Sequence, residues 1–170
     1  GIKPIVKIIW RSTLDLIYPP VCVGCERVGT LLCEPCIEAI KDPPPPPPIS
    51  AFVSGSIAVG AHTTALRKAL HALKYQGERR RGEVLGRLLV EKVIEKEWQL
   101  DIIIPVPLHS HRLAERGYNQ ANEIAKTLAI EIGSRLVSDA LDKVRATTSQ
   151  VELSAVDRQH NVKGAFKVAE

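Results

Sequence analysis

All four cysteines of this 170-residue chain fall within fifteen positions, in the order Cys22-x2-Cys25-x7-Cys33-x2-Cys36. Two facing Cys-x-x-Cys pairs can present four thiolates in a tetrahedron, the donor set of a closed structural zinc site. Two disulfides or four unrelated thiols are the competing readings. The clustering of every cysteine, in a sequence with no signal-peptide pattern, favours the metal. So short a segment buries no core of its own, so metal binding is expected to supply most of its folding free energy. With all four positions filled by sulfur, the zinc is expected to be structural.

A second chemistry is written in residues 101–128. Asp101–Val106 is a β-branched run that reads as a strand buried on both faces, ended by Pro105 and Pro107. A polar loop with His109, His111, Arg112 and Arg116 follows. Gly117 then gives conformational freedom before a helix over Asn119–Ile132, whose apolar face is Ala121, Ile124, Ala125, Leu128 and Ile132. A strand, a basic loop and a helix N-terminus in succession predict an anion site, with two arginines able to chelate phosphate oxygens. The alternative is an ordinary strand-to-helix turn with solvated arginines. His109, His111 and His160 have no metal-ligand spacing, and Asp101 and Glu115 make no acid/base pair on their own.

These residues need a frame. The chain is 45% apolar and 25% charged, ordinary for a globular protein, and its length suits one main domain plus a small module. Aromatics are scarce, so the core must rest on Leu, Ile, Val and Ala. Near the N-terminus, Lys3, Lys7, Arg11 and Asp15 recur every four residues along an apolar Ile2–Ile17 segment, an amphipathic helix expected to dock on the protein. Pro43–Pro48 form a polyproline spacer of roughly 19 Å. The expected organisation is therefore 1–42, helix plus zinc ribbon; 43–49, linker; and 50–170, an α/β domain.

Within that domain, Ala51–Ala61 reads as a strand or hairpin. Leu66, Ala69, Leu70 and Leu73 mark one helix, and Leu85, Leu88, Leu89 and Val93 the next. Strands are expected around Ala140–Val144 and Gly164–Val168, separated by the polar stretch 145–161. Alternating strands and helices imply a parallel sheet with helices on its faces. Net charge is +4, concentrated in residues 67–92, where eight basic residues face Glu78, Glu83 and Glu91. Lys74, Arg79, Arg80 and Arg81 are the candidate nucleic-acid patch there, with a solvated helix face as the alternative. No apolar run reaches the length of a membrane span.

The string Pro105-Val106-Pro107-Leu108, Arg112 and Glu115-Arg116-Gly117-Tyr118-Asn119-Gln120-Ala121 resembles the ComF/GntX family, competence-protein-F-like members of the type I phosphoribosyltransferases. Ala69–Glu78 looks like that family's Leu-Lys-Tyr-x-Gly block. Arg145, Thr147, Gln150, Leu153-Ser154, Arg158, Asn161-Val162 and Gly164-Ala165-Phe166 match its pattern further on, and Leu14–Pro20 leads into the cysteines as it does there.

The resemblance implies a type I phosphoribosyltransferase-like parallel-sheet domain, C-terminally incomplete, behind an N-terminal zinc ribbon. It implies that Arg112, Arg116, Gly117, Tyr118, Asn119 and Gln120 hold the pyrophosphate of phosphoribosyl pyrophosphate (PRPP), with Mg²⁺ bridging its oxygens. Gln150, Ser154, Arg158 and Asn161 would lie in the flexible loop that closes over PRPP; a capped helical turn over Leu153–His160 is the alternative. Such enzymes grip the ribose 5-phosphate with two adjacent acids and a Thr/Gly-rich loop. No two acidic residues are adjacent anywhere in this sequence, and Phe166–Glu170 matches the strand expected before that loop. The chain is therefore expected to stop short of the PRPP loop and to be inactive alone. The resemblance also implies a cytoplasmic role in DNA uptake, natural competence or nucleotide metabolism, with single-stranded DNA, competence-machinery proteins or a phosphorylated small molecule as partners. Against strong autonomous DNA binding, the sequence shows no aromatic stacking platform.

Overall fold

A computed structural model describes residues 15–16, 18–40, 52–62, 64–147 and 154–169. Most of the expected N-terminal helix, the proline run Pro43–Pro48 and Gln150 lie outside the described residues. The chain divides into two compact units, one through Ala72 and the other from Leu73 onward.

In the first unit the backbone reverses around the cysteine pairs. Val21 and Val28 form an antiparallel bridge. The Cys22 amide donates to the Arg27 carbonyl at 2.8 Å, and the Glu26 amide returns a bond to the Cys22 carbonyl at 2.8 Å. Glu26 is held at φ 64°, left-handed backbone that a tight knuckle imposes even on a residue with a Cβ. Helix α1, Glu34–Glu38, leaves Cys33 with proline in its first turn, where a missing N–H leaves no bond unmade. Cys22, Leu32, Cys33 and Ile40 are buried. Residues 52–62 contain no strand, which corrects the strand or hairpin expected there. No residue of 52–62 is buried and Phe52 is 97% exposed, so the segment lacks a buried face that would hold it in a sheet.

Helix α2, Thr64–Tyr75, buries Ala65, Leu66, Ala69, Ala72 and Leu73, the spacing of one helical face. The boundary between the units falls within it. Helix α3, Arg80–Glu95, buries Leu85, Leu88, Val90 and Val93. Strand β1 is Ile102–Ile103, and α4 is Ser110–Arg116. Helix α5 is Gln120–Ile132, and β2 is Arg135–Leu136. Strand β3 is Leu141–Lys143, α6 is Ala155–Val162, and β4 is Phe166–Val168.

Helix α3 lies against α5 at very short range. A Cβ on Gly82 would meet Glu123 Cβ at 2.7 Å, and one on Gly86 would meet Thr127 Cβ at 2.6 Å. Two glycines one turn apart thus let the helices approach, and Ala125 and Ala129 of α5 are buried with them. Outside that seam, Arg87 pairs with Glu131 at 3.1 Å. Helix α5 is thereby fixed, and with it the turn that precedes its N-terminus.

The sheets are smaller than the sequence suggests. Among the described residues, β1 and β2 pair in parallel, with Ile102 opposite Arg135, and β3 and β4 pair antiparallel, with Leu141 opposite Val168. The parallel pair is a β-α-α-β unit whose crossover carries α4 and α5. The expectation of one parallel sheet is corrected for β3 and β4, which form their own ladder. Strand β1 is also not buried on both faces. Ile102, Ile104 and Val106, alternate residues pointing one way, are 46%, 37% and 58% exposed, because a two-stranded sheet offers little cover. The polar loop expected after Pro107 is a helix, α4. His109 accepts the His111 amide at its start, and Gly117 closes it at φ 75°.

Candidate metal and anion sites

The four cysteine sulfurs lie within 4.8 Å of one another. Cys22 and Cys33 Sγ are 3.6 Å apart, and Cys25 and Cys33 Sγ 3.4 Å. These separations far exceed a disulfide's roughly 2.05 Å, and all four thiols are free. They suit a tetrahedron around a cation held at about 2.3 Å, whose sulfurs stand roughly 3.8 Å apart. Gly24 has no Cβ because one would strike the Cys36 sulfur at 2.5 Å.

Two of the thiols shift in opposite directions. Burial works against the Cys22 thiolate, but the backbone amides of Cys33, Cys25 and Gly24 outweigh it and bring the thiol down to about 6. Cys36 is pushed up to about 12 by burial and by the neighbouring sulfurs. Four thiolates without a cation repel one another, so the cluster is complete only around a positive ion. These residues can hold a metal ion, and the all-sulfur donor set fits zinc.

The second unit contains a cavity of about 310 Å³ lined by Lys74, Tyr75, Gly77, Arg112, Glu115 and Arg116. Three cations thus face one carboxylate. Arg116 donates to Gln120 Oε1 and lies 5.5 Å over the Tyr75 ring. Arg112 approaches Glu115 at 3.5 Å, as does His111. Gly77, at φ 71°, lies just beyond the end of α2, with nothing within 4 Å of where a Cβ would stand.

The remaining residues of the 112–120 string build the walls. The Gly117 amide donates to the Leu113 carbonyl at 2.8 Å, closing α4. Asn119 caps α5 by accepting the Ala121 amide at 3.0 Å and donates from Nδ2 to the Val106 carbonyl at 3.0 Å. Tyr118 is buried, its hydroxyl donating to the Leu73 carbonyl, and burial raises its phenol above the ordinary range. The structure therefore brings Arg112 and Arg116 to one cavity. It turns Gly117, Tyr118 and Asn119 to holding the turn in place.

The basic patch is divided. Lys74 lines the cavity. Arg79 donates to the Gly117 carbonyl at 2.7 Å and lies 4.4 Å over the Tyr118 ring. Arg81 is buried and paired with Glu78 at 2.5 Å, and Arg80 is half-buried, so the triplet does not present one exposed face.

In the 145–161 stretch, Ser154 caps α6 by accepting the Asp157 amide at 3.2 Å. Arg145 donates to the carbonyls of Asn161 at 3.1 Å and Lys163 at 2.8 Å, at the helix C-terminus. Arg158 is exposed. Lys143, half-buried, donates to Thr147 Oγ1 at 2.7 Å; burial first, then Arg112 and Arg145, lowers its ammonium pKa.

The sequence reading missed that Tyr75 and Glu115 join the arginines. Its available signal was the Lys74-Tyr75-x-Gly77 block at the end of a helix.

The described residues form mixed helices and short sheets, with a four-thiol cluster able to hold a metal ion in one unit and a cationic cavity in the other. The chain's relatives give it a family. DNA utilization protein YhgH of Salmonella typhimurium is 33% identical over 153 residues, covering 87% of this chain and 64% of the relative. The Escherichia coli K12 protein of the same name is 29% identical with the same coverage. Competence protein F of Haemophilus influenzae is 28% identical over 155 residues, covering 88% of this chain and 65% of the relative. The chain belongs to a ComF-like family. It spans about 64% of the length of these relatives. No protein-family model and no solved structure matches it. Among the described residues, no helix is long and apolar enough to cross a membrane.

Proposed function

We propose that this chain handles single-stranded DNA in a DNA-utilisation or competence pathway, with Lys74, Arg112 and Arg116 meeting backbone phosphates and Cys22, Cys25, Cys33 and Cys36 holding a structural zinc ion. The observation that carries the reading is the cavity itself, in which three cations converge with one carboxylate. The names of the relatives supply the pathway, and competence-machinery proteins in the cytoplasm are the partners it implies. Each phosphate contact removed should lower the slope of log K against log salt by about 0.7 for a single strand. Lys74→Ala and Arg112→Ala should each show that drop in fluorescence anisotropy with a labelled oligonucleotide. Unchanged slopes in both variants would sink the reading.

A second reading rests on the Gly117 turn and the capped start of the 13-residue helix α5. In it the second unit is part of a phosphoribosyltransferase-like domain, and Arg112 and Arg116 hold the pyrophosphate of PRPP, with Mg²⁺ among its oxygens. The 170 residues contain no adjacent acid pair to hold the ribose hydroxyls. Calorimetry should therefore find PRPP bound little better than pyrophosphate, with no turnover. Selective, tight PRPP binding by this chain would overturn that expectation and favour the enzyme.

A further inference from the structure

Two tyrosines in the second unit each carry an arginine over the ring, and the two pairs differ. Tyr118 is 5% exposed, its hydroxyl is bonded to the Leu73 carbonyl, and Arg79 sits 4.4 Å from its centroid; this pair is packing. Tyr75 is 65% exposed at the last position of α2, and Arg116 stands off at 5.5 Å. An aromatic ring with most of its surface in water adds little to folding. It does offer a π-face beside three cations, and every nucleobase can stack on such a face.

We propose that Tyr75 is a stacking ledge for one unpaired base of a single-stranded DNA, whose flanking phosphates lie against Lys74, Arg112 and Arg116. The inference rests on the single-strand reading above and assigns the residue that engages the base. Size agrees, since about 310 Å³ is at the lower end of small-ligand sites, about 300–1,000 Å³. So does Glu115, the one carboxylate in the lining. It can accept a hydrogen bond from an exocyclic amine of cytosine or adenine. Beside the ring, Gly77 of the lining has nothing within 4 Å of where a Cβ would stand, so that side is uncrowded.

The test compares a cytosine oligonucleotide with an abasic one of equal length, on the metal-loaded full chain, by anisotropy. Wild-type protein should prefer the base-bearing strand by about 5- to 160-fold, the effect of one stacked base. Tyr75→Ala should erase that preference and leave the salt slope unchanged, since no phosphate contact is lost; Tyr75→Phe should keep both. Equal binding of the two strands by wild-type protein would overturn the ledge while leaving the DNA reading intact, and it needs no variant to fold. Deoxycytidine monophosphate competing as well as the oligonucleotide would also overturn it, by making a free nucleotide the occupant. Binding of neither strand would remove the single-strand reading itself.

Discussion

Arg79 donates from Nη2 to the Gly117 carbonyl and covers the Tyr118 ring, so its charge ties the turn after α2 to the turn after α4. That makes it a positioning residue for the cavity. Arg79→Ala should cost about 1–2 kcal/mol of stability, from one charged hydrogen bond and one cation–π contact. A urea melt would register the loss. The salt slope of DNA binding should stay at the wild-type value, and a drop of about 0.7 would instead make Arg79 a phosphate contact. Arginines one or two positions apart in sequence thus answer to different partners. Arg81, itself buried and paired with half-buried Glu78, is fixed by the fold, and only geometry separates it from Arg79.

Among the elements, the seam between α3 and α5 is the most demanding. Gly86→Ala should force the helices apart at Thr127 and destabilise by about 1–3 kcal/mol, as overpacking of a closed interface does. If the Gly86→Ala protein melted with wild-type stability, the seam would be one that yields without cost. Helices α2, α3 and α5 were legible in the sequence because each buries a face at helical spacing. Helix α4 was not. Leu113 is the single large apolar residue of Ser110–Arg116, and local devices hold the helix instead: the His109 cap, the Gly117 stop, and Glu115 beside His111 and Arg112. Strand β1 was legible in place but not in burial, since cover depends on neighbouring strands that no local pattern encodes. The same holds for the antiparallel partner of β3, more than twenty residues away. Arg112 and Arg116 could be picked out as candidate anion ligands from one string. Their meeting with Lys74 and Tyr75 depends on where α2 ends, which a periodic pattern does not reveal.

At the scale of the molecule, the metal site and the cavity sit in units held together by different physics. The first has four sulfurs placed to hold an ion; on the zinc reading, metal release should melt it selectively. Cys33→Ser, or a strong chelator, should release one zinc per chain, measured with a colorimetric indicator, and abolish structure around residues 20–40. The helical signal of the second unit should persist. Protein purified without chelator and free of zinc would remove the metal assignment. The contacts that shape the two sites also differ in reach along the chain. The sulfur contact Cys22–Cys33 joins residues 11 apart, whereas Arg79–Gly117 spans 38 and Tyr118–Leu73 spans 45. Loop closure over such distances slows folding. On a ribosome releasing about 5–20 residues per second, the thiol cluster can take up its ion soon after Cys36 clears the exit tunnel. The cavity cannot exist until α5 has emerged and packed on α3. On the proposed reading, a nascent chain therefore completes its metal site well before it completes its phosphate site.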